Sequence, residues 1–456
     1  MKISISDIKK LKGVELINPN LFRKISDVSI DSRKLKEGDL FFAIKGENFD
    51  GHIFVDEVIS KGASAVVIEK KYLEKFKDKN YPLVVVEDTT KALGELARIY
   101  RDKFNVKVIG LTGSNGKTTT KEMIAEVLST KFKTLKTEGN LNNNFGVPLN
   151  LFRLQKSHEV AVIEMGINHF GEMKTLCEIA NPDFGIITNI GTAHIEFLKS
   201  REGIAEEKGM LFKYLKEKNG FGFINSDEEL IKQKARGLKK KLTFGFNSKA
   251  DVRGKVLSLN NLAQPALKVT YRNKSLVINL PTFGIHTAQN ALCAAAVGLK
   301  FGVSLRKIKS ALESFKSYDK RMQVIDLDGY TIINDAYNAN PDSMRMAIQT
   351  MKLMNGYFQK LAVLGDMLEL GEYSEKYHRE LAHYLKENGI QKVFFFGELT
   401  KSSFEEALKL ELDAKHFDDK KQIADEIKNT LPEGSLILLK GSRKMKMEEI
   451  IDYLKG

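Results

Sequence analysis

Gly113, Gly116, Lys117 and Thr118 have the types and spacing to cradle phosphate. Glycines let backbone N–H groups approach phosphate oxygens, and the start of a helix adds partial positive charge. Lys117 adds a full charge, and the Thr118 hydroxyl can join a Mg2+ shell. The setting fits. Val106 to Leu111 is an apolar run short enough for a buried strand, a turn of Gly, Ser and Asn follows, and a helix is predicted to begin near Lys117. The pattern G-x-x-x-x-G-K-[ST] is not literally met, because Leu111 stands where its first Gly would fall. A tight turn capped by Ser or Thr is the plain alternative. Strand, Gly-turn and helix together favour phosphate, so the stretch predicts a nucleoside triphosphate site.

Further polar groups fall at the ends of strand candidates, where loops often carry binding groups. Glu164 follows the apolar run Val160 to Ile163, and a carboxylate there can hold Mg2+ directly or through water. His194 lies in Gly191-Thr192-Ala193-His194-Ile195-Glu196, after the candidate Phe184 to Ile190. A lone His is more often a packing or surface histidine, and its strand-end position just before Glu196 gives a functional reading equal weight. Asn140, Asn142 and Asn143 sit in the polar loop Thr137 to Pro148, which is either bland surface or a substrate-facing edge; its place after Lys133 to Lys136 favours the edge. Asp31-Ser32-Arg33 and the turn from Lys45 to His52 also lie beside strand candidates, and Asx-turn or capping chemistry explains them equally well. Asp335, Asn338, Asp366, Lys440, Ser442 and Arg443 mark three strand ends near the C-terminus, which together indicate a site. Lys208, in the helical pattern from Ile204 to Gly209, reads by itself as a surface charge.

The elements that must position these residues alternate between strand and helix. Such alternation predicts an α/β fold with parallel, doubly wound sheets. At 456 residues, about three domains are expected. Residues 1–104 hold strand candidates Leu40 to Ile44, Ala65 to Ile68 and Leu83 to Val86; residues 105–317 hold the phosphate loop; residues 318–456 hold the C-terminal strand ends. From Val252 to Leu280 the apolar period is nearer two, which predicts a small antiparallel insert. An Ala-rich helix follows from Gly284 to about Leu299.

Composition bounds the rest. Hydrophobic residues at 42% with 29% charged are ordinary for a globular protein. No apolar run approaches the ~20 residues of a membrane span. The start, Met1 to Lys10, lacks the apolar region of a signal peptide. Cys177 and Cys293 make no metal spacing or disulfide framework and suit buried positions in a reducing cytoplasm. The net charge of +13 comes mostly from dispersed lysines. Without a zinc finger or basic–aromatic interleaving, it suits anionic small substrates better than nucleic acid.

Along nearly the whole chain these motifs resemble the Mur ligases, ATP-dependent amino-acid ligases of peptidoglycan synthesis. Thr112-Gly113-Ser114-Asn115-Gly116-Lys117-Thr118 is similar to that family's phosphate loop and accounts for the missing first Gly. Glu164, the element Gly191 to Glu196, the helix start with His286, Asn290, Ala294 and Ala295, and Arg321 are similar as well. Three C-terminal runs, Asp335 to Met344, Leu364 to Gly371 and Lys440 to Arg443, most resemble the branch that adds D-alanyl-D-alanine. The N-terminal run from Asp31 to His52 also fits, and the D-N-P-R signature of the branch adding the third residue is absent.

The resemblance implies a three-domain architecture: a UDP-sugar-binding N-terminal domain, a central ATP-binding domain with the insert, and a Rossmann-like C-terminal domain. It implies that ATP phosphorylates the terminal carboxylate of UDP-MurNAc-tripeptide and that the amine of D-alanyl-D-alanine attacks the acyl phosphate. By resemblance, Thr112, Gly113, Ser114, Asn115, Gly116, Lys117, Thr118 and Thr119 hold the nucleotide phosphates, and Asn290, Arg321 and Asp335 contact ATP. Thr118, Glu164, His194 and Lys208, the last if carbamylated, match the Mg2+ shell. Ser32, Arg33, Lys45, Gly46, Asn48 and His52 are expected near the uridine diphosphate, Asn140, Asn142 and Asn143 near the muramoyl peptide, and Asn338, Asp366, Lys440 and Ser442 near the dipeptide. A cytoplasmic, monomeric enzyme is implied. The alternatives are a folylpolyglutamate-synthase-like or cyanophycin-type ligase on the same scaffold, and a nucleotide-gated scaffold protein without ligase chemistry. The second of these is disfavoured by the presence of Glu164, His194 and Lys208 together.

Overall fold

Strands β1 (Glu15–Ile17), β2 (Val28–Ser29), β3 (Leu40–Phe42), β4 (Ala65–Glu69) and β5 (Leu83–Val86) form one sheet in the order β1-β5-β4-β3-β2. β2 to β5 are parallel, and β1 joins β5 antiparallel. The computed structural model describes residues 3–46, 49–246, 249–316 and 320–455. It divides into two units: Met1–Leu111, Phe132–Ile167 and Gly171–Gly185 form the first, and Thr112–Lys131, Asn168–Phe170 and Ile186–Gly456 the second.

In the first unit, β3 and β5 are buried along their whole length and β4 up to Ile68, as expected of parallel strands covered on both faces. Phe41, Val55, Val58, Val66, Phe76 and Leu83 share one core cluster. Asp88 caps the helix Thr89–Arg101 by accepting the N–H groups of Thr90 and Lys91, both at 2.9 Å. Beyond that helix, β6 (Lys107–Thr112) and β7 (Thr134–Lys136) both pair in parallel with β8 (Val160–Glu164). Strand β9 (Phe184–Ile187) leads out of this unit.

The second unit begins with the helix Lys117–Ser129. Strands β10 (Phe221–Asn225), β11 (Lys240–Gly245) and β12 (Val252–Leu259) pair in parallel; β12, β13 (Pro265–Tyr271) and β14 (Lys274–Asn279) then form the expected antiparallel insert. Ala288, Ala291, Ala294, Ala295 and Ala296 of the helix Ile285–Lys300 are all buried. Small residues let that helix lie close to Lys117–Ser129: a methyl at Gly298 would come within 2.5 Å of Val127 Cγ1.

The C-terminal sheet runs β15-β16-β20-β17-β18-β19, with β15 (Gln323–Leu327), β16 (Tyr330–Asn334), β17 (Lys360–Gly365), β18 (Lys392–Phe396), β19 (Asp413–Phe417) and β20 (Leu436–Lys440). Five strands are parallel, as expected of a doubly wound sheet. β15 adds an antiparallel edge absent from the sequence reading. Asp328 and Gly329 both have positive φ, which suits the two-residue turn of a hairpin. Because β20 lies between β16 and β17, their carboxyl ends, and the polar groups on them, open on one edge.

Candidate functional site

Gly113 and Gly116 have φ of +151° and +75°, and Gly116 is the residue immediately before the helix Lys117–Ser129. The loop is braced from the segment after β9. The Thr188 hydroxyl donates to the Asn115 carbonyl (2.7 Å), the Asn115 N–H to Asn189 Oδ1 (2.9 Å), and the Gly191 N–H to Ser114 Oγ (2.8 Å). Asn340 Nδ2, from the C-terminal part of the unit, reaches Asn115 Oδ1 at 2.9 Å. Lys117 Nζ donates to the carbonyls of Gly113 (2.8 Å) and Ser114 (3.2 Å), so the ammonium is held over its own loop. Thr118 and Thr112 are buried and Thr119 is half-buried; the Thr112 hydroxyl makes no hydrogen bond among the described residues. Asn290 Oδ1 would lie 2.7 Å from a methyl on Gly116, which places this amide against the loop.

A cavity of about 500 Å³ opens beside the loop, lined in part by Asn115, Asn189, Glu228, His286, Asn290 and Asp342. Burial pushes the His286 pKa down to about 4, with Asp335 opposing and Lys440 reinforcing the shift, so the imidazole is neutral at pH 7. Burial raises the Glu228 carboxyl above its ordinary value, against the pull of Arg201 and helped by Asp342 and Asp227. Amides and a neutral imidazole suit a heteroaromatic base bound through uncharged hydrogen bonds.

His194 sits in the left-handed region with φ of +62°, and its Nδ1 lies 2.6 Å from Glu369 Oε2. Burial lowers its pKa, Glu369 opposes the shift, and the charges of Lys117 and Lys208 reinforce it. Lys208 is buried and makes no hydrogen bond or ion pair among the described residues. Burial, with the charge of Lys117 reinforcing it, brings its amine well below the ordinary lysine range. The surface-charge reading of Lys208 is therefore incorrect: its place on the helix Arg201–Glu217 faces inward. In the first unit, Glu164 closes β8, takes the Asn142 Nδ2–H on Oε1 at 2.9 Å, and donates its N–H to Thr137 Oγ1. Among the described residues no group of three His, Cys, Asp or Glu side chains forms a ready metal cage. Mg2+ does not need one, since it keeps several waters and takes one or two protein oxygens plus substrate phosphates. In the second unit, the Thr118 hydroxyl is an oxygen donor of that kind.

The remaining predicted positions divide by what already engages them. Lys440 is buried, and its Nζ contacts Asp335 Oδ2 at 2.5 Å and the Asn338 carbonyl at 3.0 Å. Asp366 Oδ1 accepts the Thr400 N–H, and Ser442 Oγ accepts the Leu368 N–H, so both hold the loop after β17. The Arg321 guanidinium lies 3.9 Å over the Tyr337 ring, and its buried Nε has no hydrogen-bond partner among the described residues. Asn338 and Asn140 are exposed; exposed Asn143 caps the turn into the helix Gly146–Phe152. In the first sheet, exposed Arg33 makes a two-pronged pair with Asp31, and buried Ser32 lends its carbonyl to Lys61 Nζ. Lys45 bridges to Asp50, the Gly46 N–H donates to the Phe49 carbonyl, and Asn48 lies outside the described residues. His52 is buried: Nδ1 lies 2.6 Å from Asp50, Nε2 accepts the Glu69 N–H, and the ring stacks on Tyr72.

Sequence reasoning assigned no role to Thr188, Asn189, Asn340, Asp342 or Glu369. Asp342 accepts both the N–H and the hydroxyl of Thr192, at 2.7 and 2.8 Å. Glu369 and Asn340 lie within runs already singled out by resemblance, but nothing local marks their partners.

A phosphate loop between a strand and a helix, beside a cavity lined by amides, an imidazole and charged side chains, defines a nucleotide-binding α/β protein. The chain belongs to the Mur ligase family. Residues 24–101 match the Mur ligase family catalytic domain, residues 111–298 the Mur ligase middle domain, and residues 320–443 the Mur ligase glutamate ligase domain. The chain is 39% identical to the UDP-N-acetylmuramoyl-tripeptide–D-alanyl-D-alanine ligase of Bacillus subtilis, over 100% of this chain and 98% of that protein. It is similar to the crystal structure of MurF from Acinetobacter baumannii, with a TM-score of 0.89 at 33% identity, covering 99% and 98% of the two chains. It is also similar to MurF ligase from Thermotoga maritima in complex with ADP, with a TM-score of 0.83 at 29% identity, covering 95% and 97%.

Proposed function

We infer that this protein is an ATP-dependent ligase that adds D-alanyl-D-alanine to UDP-MurNAc-tripeptide, giving the pentapeptide, ADP and phosphate. The full-length similarity to ligases of that name carries the reading. The γ-phosphoryl group passes to the terminal carboxylate, the dipeptide amine attacks the acyl carbon, and phosphate leaves as the amide bond forms. Such chemistry depends on spreading negative charge and on holding two anionic substrates within attack distance.

Within this reading, residues 1–104, 105–317 and 318–456 are the UDP-sugar, ATP and dipeptide domains. Thr112 to Thr119 cradle the phosphates, and Lys117 turns from its own carbonyls to the β- and γ-oxygens. Asn290, Arg321 and Asp335 contact ATP; the shelf under Arg321 and its unused Nε–H support that role. Thr118, Glu164, His194 and carbamylated Lys208 hold Mg2+, which when bound neutralises the phosphate charge. Carbamylation needs a neutral amine: CO2 adds to the nitrogen, an N–C bond forms, and a proton is lost. A buried lysine without a hydrogen-bond or ion-pair partner among the described residues favours that form. Ser32, Arg33, Lys45, Gly46, Asn48 and His52 serve the uridine diphosphate, His52 through its hold on Asp50. Asn140, Asn142 and Asn143 serve the muramoyl peptide. Asn338, Asp366, Lys440 and Ser442 serve the dipeptide, with Asp366 and Ser442 acting through the loop they hold. The enzyme works as a monomer in the cytoplasm.

The test is phosphate release and pentapeptide formation by the full chain with ATP, Mg2+, D-alanyl-D-alanine and UDP-MurNAc-tripeptide bearing lysine or diaminopimelate. Release requires both acceptor and donor, and Lys117→Ala abolishes it while the urea midpoint is kept. No pentapeptide from either tripeptide refutes the assignment.

A further inference from the structure

The loop after β17 is fixed at three points by residues around the C-terminal sheet. Asp366 Oδ1 takes the Thr400 N–H at 2.9 Å, the Met367 N–H donates to His378 Nε2 at 3.1 Å, and Ser442 Oγ takes the Leu368 N–H at 2.8 Å. The next residue, Glu369, has φ of +62°, which turns the chain toward the segment that carries His194. There the Glu196 N–H meets the Glu369 carbonyl at 3.3 Å, Tyr373 Oη meets the Lys199 carbonyl at 3.4 Å, and a methyl at Gly371 would lie 3.0 Å from Glu196 Cγ. The Glu369 carboxylate reaches His194 Nδ1 at 2.6 Å.

An ionised carboxylate only accepts hydrogen bonds, so Nδ1 carries the proton. The lone pair is then on Nε2, which makes no hydrogen bond among the described residues. A histidine whose Nδ1–H is taken by a carboxylate is oriented and made more basic at its other nitrogen.

We propose that Glu369 is a positioning residue: it holds His194 in the Nδ1–H tautomer and presents the Nε2 lone pair to the divalent cation of the nucleotide, making cation binding conditional on the docked 366–373 loop. This rests on the nucleotide-site reading above and deepens it. His194 and Glu369 come from the central and C-terminal parts of one unit, so the loop reports the docking of the dipeptide-binding part to the cation site. The imidazole itself is held from this loop by one hydrogen bond, between two residues of positive φ, so small changes at the Glu369 side chain are felt at the ring.

The experiment compares full-length wild type, Glu369→Ala and Glu369→Gln by two readouts. Side-chain NMR of ¹⁵N-histidine-labelled protein, with His194→Gln to assign the signal, reads the tautomer. Paramagnetic titration with Mn2+ in the presence of ADP reads cation affinity, and ADP binding in chelator reads the nucleotide alone. Wild type shows the Nδ1–H tautomer. Glu369→Ala moves His194 toward the Nε2–H form and weakens Mn2+ by about 10- to 100-fold, with metal-free ADP binding and the urea midpoint kept. Glu369→Gln, whose amide oxygen still accepts Nδ1–H, retains the tautomer and most of the affinity. An unchanged tautomer in Glu369→Ala, or weaker Mn2+ binding with the tautomer kept, overturns the positioning role. Wild type that takes up no Mn2+ with ADP overturns the nucleotide-site reading itself, and the inference with it.

Discussion

Gly113 has no room for a side chain. A methyl there would lie 1.9 Å from Thr188 Oγ1, the hydroxyl that holds the Asn115 carbonyl, and its φ of +151° disfavours any other residue. Gly113→Ala should therefore displace Thr188 and open the loop. The expected cost is about 1–3 kcal/mol of stability, read as a lower urea midpoint, with ADP affinity weakened at least tenfold in a fluorescence titration. Unchanged values would mean that Thr188 yields freely. The glycine spacing was legible in the sequence because backbone freedom is a property of single residues. Thr188 and Asn189 were not, because ordinary polar residues after a strand carry no mark of the loop they brace.

The helix Pro341–Leu353 shows how an element carries such a brace. Asn340 caps it, Pro341 starts it, and Ser343 completes the capping box, all local and readable. The first turn also aims Asp342 at Thr192 and Asn340 at Asn115. Asp342→Ala removes a charged acceptor from two donors and should cost about 2 kcal/mol. Hydrogen exchange across residues 188–194 should quicken and ADP binding weaken, while the far-UV spectrum stays unchanged. The same scale explains the missed strands. β19 is a half-exposed edge strand with charged residues, which hides the apolar pattern of a buried strand. β15 was betrayed by its Asp328-Gly329 turn, a hairpin signal overshadowed by the alternation of helices and parallel strands around it.

Acid sensitivity belongs to the whole molecule. His52 in the first unit and His194, His286 and His378 in the second are all held below the ordinary histidine value, in each case first by burial. The unfolded chain takes up these protons near pH 6.5, whereas folded His286 does so only near pH 4. Between those values the unfolded state binds more protons, so stability falls as pH falls, and the loss is complete once pH is below the folded values. For His286 alone the complete loss is roughly 3 kcal/mol. Urea unfolding at pH 7 and pH 5 should show the decline, and His286→Gln should make it shallower; a flat wild-type profile would mean that these rings titrate normally.

The sequence by itself determined the alternation of most strands and helices, the phosphate loop, the antiparallel insert and the family, because periodicity, glycine position and contiguous runs are local. It also placed Asp335, Asp366, Lys440 and Ser442 on strand ends. Only the tertiary structure decided what each of these touches. His194 meets Glu369 across 175 residues, Asn115 meets Asn340 across 225, and Lys440 meets Asp335 across 105. Such pairs are set by sheet order and by which loops converge: β20 lies beside β16, which brings Lys440 to Asp335 although neither residue carries a local signal for the other. Hydrogen bonds and ion pairs act over a few ångströms of space, whatever the length of chain between the partners.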